Sequence, residues 1–159
     1  MTGDLEAPAD FTLDLTNALF DSESFDVVIC LHVLEHIKDD GSAMRELRRI
    51  VRPGGLVFVD VPLDERQHTY EPEADNPAER YRLLGQHDHV RFYGRVDLRR
   101  RLEEAGFDVT VERGAHMSEE DHRRFGFHGA TMHVCQRGAD RPDASTINGL
   151  LSTATPSNH

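Results

Sequence analysis

Two short stretches hold the side chains of this sequence best suited to chemistry. His32-Val33-Leu34-Glu35-His36 packs two imidazoles and a carboxylate into one turn's length, and His87-Asp88-His89 sets two more imidazoles beside a second carboxylate. Imidazole and carboxylate together move protons near neutral pH or bind divalent metal ions. The spacing His-x-x-Glu-His suits zinc-dependent hydrolysis when both histidines lie one turn apart on a helix, a third ligand follows downstream and the Glu serves as base. Here the motif leaves an apolar, strand-like run directly. The expectation is therefore that Leu34 packs inward while His32, Glu35 and His36 line the end of that strand. In His87-Asp88-His89 neighbouring side chains point in different directions, so at most two converge. That stretch reads as a solvated or substrate-facing loop, and no metal ion is expected. His116, His122, His128 and His133 show no ligand spacing and read as surface or edge-strand residues.

The elements that must hold these stretches follow from periodicity. Phe25 to Leu31 is apolar apart from Asp26, the pattern of a strand covered on both faces. Asp26 in such a run needs compensation from a backbone N–H or a basic residue. Asp39, Asp40 and Ser42 offer N-caps for a helix carrying Met44, Leu47, Ile50 and Val51 on one face, and Pro53-Gly54-Gly55 ends it. Leu56 to Val61 is a second buried strand, with Asp60 near its end. Strand, helix, strand over this length is a βαβ unit, whose two strands must be parallel. Phe11 to Leu15 alternates like a short strand. Residues 64–80 are polar and read as a long surface loop. A second helix fits Arg95 to Ala105, with Val96, Leu98, Leu102 and Ala105 inward and Gly106 as its stop. Phe107 to Val111 and Thr131 to Cys135 read as a final strand pair. From Gly138 onward apolar residues are few and periodicity is lost, so residues 138–159 are expected to be a disordered tail after a domain spanning 1–137.

Bulk composition narrows the classes of function. In 159 residues, 18 basic side chains face 29 acidic ones, for a formal charge of −11. A surface this acidic disfavours nucleic acids and anionic membranes, whose phosphates need clustered Lys and Arg. Arg48-Arg49 and Arg99-Arg100-Arg101 are expected to pair with acids on helix faces. No apolar run approaches the roughly 18 residues of a membrane-spanning helix, and the first residues lack the pattern of a secretory signal. Cys30 and Cys135 sit in apolar runs and read as small core residues, which suits a cytoplasmic location.

Several of these stretches, in this order, resemble a class I S-adenosylmethionine (SAM) methyltransferase. Asp14-Leu15-Thr16-Asn17-Ala18-Leu19-Phe20 resembles that family's turn after strand three, and Phe25-Asp26-Val27-Val28 its strand four. Leu34-Glu35-His36 is similar to the Leu-Glu-His of the type 11 branch. Glu46 to Gly55 resembles the helix and turn before strand five, and Gly85 to Gly94 with Leu102 to Phe107 resembles a subgroup's approach to its last helix. The resemblance covers about residues 11–136. It implies an α/β, partial Rossmann-like sheet, mostly parallel with an antiparallel C-terminal strand. No Gly-x-Gly-x-Gly loop precedes Asp14, so the expectation is an N-terminally truncated domain.

The resemblance also implies SAM as cofactor. Asp14 and the Leu15 backbone would hold adenine, and Leu31 and His32 would border the methionine end. His36, His87 or His89 would act as base toward a small-molecule or glycan-like acceptor, beneath a lid formed by residues 64–93. The alternative reading is a non-catalytic remnant, in which strand four exposes an apolar edge to a homodimer mate or to a partner that completes the sheet.

Overall fold

The computed structural model describes residues 3–4, 11–64, 67–113 and 131–138. Its centre is a four-stranded sheet. Short strands β1 (Gly3–Asp4) and β2 (Phe11–Thr12) pair in parallel ahead of it, and a single 3-10 turn, Leu15–Asn17, follows them. The sheet then takes β3 (Phe25–Leu31) and β4 (Val51–Asp60), joined by a 3-10 turn at Leu34–His36 and helix α1 (Asp40–Ile50). A two-residue strand β5 (Leu63–Asp64), helix α2 (Pro77–Leu84), strand β6 (Tyr93–Gly94) and helix α3 (Arg95–Glu104) lead to β7 (Phe107–Arg113) and β8 (Thr131–Arg137).

Strand order is β3-β4-β8-β7, with β5 and β6 forming a separate parallel pair. β3 and β4 are parallel, from Val27 opposite Leu56 to Leu31 opposite Asp60, as a βαβ crossover demands. β8 is antiparallel to both β4 and β7, so β3, β4 and β7 share one direction and the last strand runs against them. The result is a mixed α/β sheet.

Local chemistry fixes the helix ends. Asp39 caps α1 by accepting from the Ser42 N–H at 3.0 Å. At the far end of α1 the buried Arg137 guanidinium donates to the carbonyls of Arg48 and Val51 at 3.2 and 2.8 Å. The Pro53-Gly54-Gly55 turn lies inside β4 as an irregularity, because Phe25 pairs with Val51 while Val27 already pairs with Leu56. Gly54 has φ +78°, and a Cβ on Gly55 would come within 2.7 Å of the Asp26 carbonyl oxygen.

Four expectations need correction. Residues 64–80 are not one loop. Asn76 caps α2 by accepting from the Glu79 N–H at 3.0 Å, Pro77 opens the helix, and Gly85 ends it at φ +72°. β3 is not covered on both faces, and its Asp26 is exposed, paired with Arg52. Val96 is half exposed on α3, which buries Leu98 and Leu102 instead. His133 is buried in the central strand β8, where loss of hydration pushes its pKa below the ordinary histidine value. The tail beyond Gly138 and His116, His122 and His128 lie outside the described residues.

α1 and α3 cover one face of the sheet. Met44, Leu47, Leu98 and Leu102 pack there against Cys30, Val57, Val59 and Cys135. On the other face Val27, Ile29 and Leu31 of β3 are 49, 68 and 42% exposed, beside the half-buried Leu56 and Phe58. No described helix is long and apolar enough to cross a membrane. In the arginine runs Arg49 pairs with Glu46, Arg99 with Glu103, Arg100 with Glu104 and Arg101 with Asp40, while Arg48 donates to the Gly106 carbonyl.

Burial pushes the Cys30 and Cys135 thiols up to about 12. Both should therefore stay unmodified by a thiol-specific reagent at pH 8 in the folded chain and react at once in urea. Rapid reaction of either in native buffer would contradict this packing.

Candidate functional site

The carboxyl end of β3 is where the chain turns away from the sheet, and ligands of open parallel sheets bind at such ends. The His32 N–H still donates to the Asp60 carbonyl at 2.9 Å, extending the β3–β4 ladder by one bond. His32 then adopts φ +53°, a left-handed conformation that costs a non-glycine residue about 1 kcal/mol or more. This kink redirects the chain into the Leu34–His36 turn, driving Leu34 and Glu35 inward and leaving His36 at the surface side.

Glu35 is 1% exposed, and neither of its carboxylate oxygens has a hydrogen-bond partner. Its nearest cations-to-be are imidazoles: His32 Nδ1 at 3.5 Å and His36 Nε2 at 3.9 Å, both from Oε1. His32 also faces Asp60, Nε2 to Oδ2 at 3.8 Å.

The second histidine stretch comes to the same place. The Val90 N–H donates to the Glu35 carbonyl at 2.9 Å, and the His89 ring packs edge-on against His36 with centroids 4.7 Å apart. His89 is buried, and its Nδ1 has no hydrogen-bond partner. Burial, and secondarily the neighbouring His36, holds the His89 pKa below the ordinary histidine value. Asp88 turns outward and meets His36 instead, Oδ2 to Nδ1 at 3.3 Å. His87 is exposed.

Arg91 holds the two stretches together. Its guanidinium is 1% exposed. It donates to the carbonyls of Leu34, Ile37 and Lys38 and to Glu71 Oε1 at 2.7 Å. Tyr93 Oη donates to Asp40 Oδ2 at 2.6 Å, and Arg101 donates to the same oxygen at 2.7 Å. The turn after β3, the start of α1, α3 and the 87–93 stretch thus share one buried polar network.

Of the expected site residues, the structure brings together His32, His36 and His89. Leu31 flanks them, half exposed at the end of β3. Asp14 is exposed, and its Oδ1 accepts from the N–H and hydroxyl of Thr16 at 2.9 and 2.7 Å. Those bonds hold its carboxyl below the usual range. Leu15 is buried in the core. Glu35 is the residue whose importance the sequence understated, since nothing in the spacing shows that its carboxylate is buried among imidazoles. A cavity of about 500 Å³ between α1 and α3 is lined by Glu23, Arg48, Arg49 and Arg137. It lies toward the opposite end of β3, and Arg49 and Arg137 there are already bonded to Glu46 and Glu23.

A family model described as a methyltransferase domain matches residues 4–112. The chain is 34% identical over 107 residues to a "Probable S-adenosylmethionine-dependent methyltransferase" of Mycolicibacterium smegmatis, covering 65% of this chain and 38% of that protein. It is 32% identical over 96 residues to the ubiquinone biosynthesis O-methyltransferase of Aeromonas salmonicida, covering 59% of this chain and 40% of that one. It thus spans about two-fifths of the length of these curated relatives. Among solved structures, phosphoethanolamine N-methyltransferase 2 of Haemonchus contortus in complex with SAM superposes with a TM-score of 0.53 at 16% identity, over 81% of this chain and 37% of that one. This last likeness speaks to the fold alone.

Removing the Arg91 charge should uncouple the site from its scaffold. Arg91→Met leaves three carbonyls, Asp40 and Glu71 short of a donor, and breaking a buried pair of this kind costs about 3–5 kcal/mol. Urea unfolding should show a loss of that size. A loss under about 1 kcal/mol would mean the network does not hold the turn.

Proposed function

The chain belongs to the class I SAM-dependent methyltransferase domain family, and we propose that it serves methyl transfer from SAM to a small-molecule or glycan-like acceptor. The observation that carries this reading is the gathering of His32, Glu35, His36 and His89 at the carboxyl end of the parallel β3–β4 pair, in a chain of this family. The family binds SAM, which supplies an electrophilic methyl group. In this reading the ionised Asp14 carboxylate and the Leu15 backbone receive adenine, while Leu31 and His32 border the methionine end.

Methyl transfer is an in-line displacement, so positioning and removal of the acceptor's proton are the protein's main tasks. His36 is the base favoured here. It is 33% exposed, and Asp88 on Nδ1 orients the ring and leaves Nε2 to take the proton. His89 is the buried companion that fixes the ring edge-on, and His87 stands at the rim. The name of the Aeromonas relative supports an oxygen nucleophile. The Leu34-Glu35-His36 turn supports a place in the type 11 branch.

A second reading rests on a different observation. Among the described residues β3 pairs with β4 alone, and its Val27, Ile29 and Leu31 are exposed. An apolar open edge recruits another strand, so the chain would serve as an interaction or dimerisation module in which a second copy or a partner completes the sheet.

Two measurements separate the readings. Calorimetric titration with S-adenosylhomocysteine, at low and at molar salt, should give a Kd on the order of micromolar, abolished in Asp14→Ala. Absence of heat from a demonstrably folded chain would overturn the cofactor assignment. On the second reading, sedimentation should show a dimer that Ile29→Lys converts to monomer; a wild-type monomer at high concentration would exclude self-association through this edge.

A further inference from the structure

We propose that Glu35, His36 and His89 form a binding site for a divalent transition-metal ion, with zinc as the best-matched occupant. One candidate ligand atom from each of the three side chains lies within 4.8 Å of the others. A bound ion draws such atoms to about 2.0–2.2 Å from itself, a closure that rotation of the partly exposed His36 ring can supply.

Three features distinguish this group from an ordinary polar cluster. The first is the unmet bonding capacity of Glu35. Both carboxylate oxygens are buried without a hydrogen bond, and an uncompensated buried carboxylate costs several kcal/mol. A cation at this point is a direct form of compensation. The second is His89, buried from an unrelated part of the chain with a ring nitrogen that likewise has no hydrogen-bond partner. The third is the outer shell. His36 meets Asp88 through Nδ1 at 3.3 Å and Glu35 through Nε2 at 3.9 Å. A carboxylate on one ring nitrogen that leaves the other for the metal is the usual arrangement around ligating histidines.

Two imidazoles and one carboxylate suit zinc, cobalt and nickel, and three protein ligands leave a coordination position open. The exposed His32 ring lies 3.5 Å from Glu35 Oε1, so an open position on that side would be the one solvent can reach. An oxygen ligand bound there would be acidified by the metal. This consequence rests on the methyl-transfer reading: a ligated His36 is no longer a free base, and deprotonation of an acceptor hydroxyl would pass to the metal. Neither histidine stretch taken singly reads as a metal site, so no metal ion is expected from the sequence. The site arises from their meeting.

The test is titration of the chelator-stripped full chain with zinc and with cobalt, followed by calorimetry and by the visible absorption of cobalt. One ion per chain is expected, with cobalt bands typical of four- or five-coordination. Glu35→Gln and His89→Gln should each weaken binding on the order of a hundredfold, and Asp88→Asn on the order of tenfold. His68→Ala, at an exposed histidine, should leave affinity unchanged. Circular dichroism of each variant checks folding, and His36→Gln, at the partly exposed ligand, keeps the test decisive if a core variant unfolds. Binding that survives in Glu35→Gln, His36→Gln and His89→Gln, or no binding tighter than that of surface histidines, overturns the site. Because binding is read without SAM, loss of the metal site leaves the cofactor assignment standing, and loss of S-adenosylhomocysteine binding leaves the metal site standing.

Discussion

The structure depends on one buried guanidinium. A chain that leaves a β-strand through a tight 3-10 turn strands backbone carbonyls in the interior, and each needs a donor. Arg91 answers those of Leu34, Ile37 and Lys38 from a position more than fifty residues along the chain. Its charge is balanced by Glu71 and Asp40, and Asp40 is held in turn by Tyr93 and Arg101. Arginine suits this place because its planar fork presents several donors at once and stays charged when buried. The network also sets register. It fixes which residue of the 87–93 stretch stands beside His36, and that residue is His89.

The sheet is asymmetric in a way that bears on how the chain works. α1 and α3 bury Cys30, Val57, Val59 and Cys135 on one face, with the alternation expected of strands half covered by helices. On the opposite face β3 presents Val27, Ile29 and Leu31. The composition of these residues fits a strand buried on both sides. Composition and exposure therefore disagree at β3, whereas at β4 and β8 they agree. The same strand delivers the His32 turn, so whatever covers this face also sets the environment of the site.

The βαβ unit is legible because its signals are local: an apolar run, a capped amphipathic helix and a second apolar run; the Pro-Gly-Gly that reads as the helix stop instead lies inside β4, and the helix ends earlier, at Ile50. α3 and the β7–β8 pair were legible for the same reason. α2 was overlooked although Asn76, Pro77 and Gly85 spell out its cap, first turn and stop; the polar composition between those markers masked them. The site was half legible. His32, Glu35 and His36 were placed at the strand end by sequence alone, and His87-Asp88-His89 was singled out. Which of those three turns inward was not readable, since it depends on Arg91 and on the Val90 bond to Glu35. Asp26 finds the basic partner its place in the strand calls for, Arg52, but at the surface, whereas His133 is buried where an edge position was expected, because whether a polar residue in a strand faces solvent or core depends on which face has helices.

Glu35 brings these threads to one point. Its backbone is fixed by Val90, its side chain is sealed inside the turn, and two imidazoles lie near one oxygen while a third closes the group from the 87–93 stretch. A carboxylate whose only task was structural would be expected to accept backbone N–H bonds, as Asp39 does at its helix cap and Asp14 does from Thr16. Glu35 accepts none. The strained His32 backbone, which throws the turn inward, and the Arg91 clamp, which holds it there, both maintain a carboxylate in surroundings that leave its lone pairs available. An arrangement that costs stability at several independent points persists where the exposed chemistry is used, and here the lone pairs of Glu35 are what that arrangement keeps available.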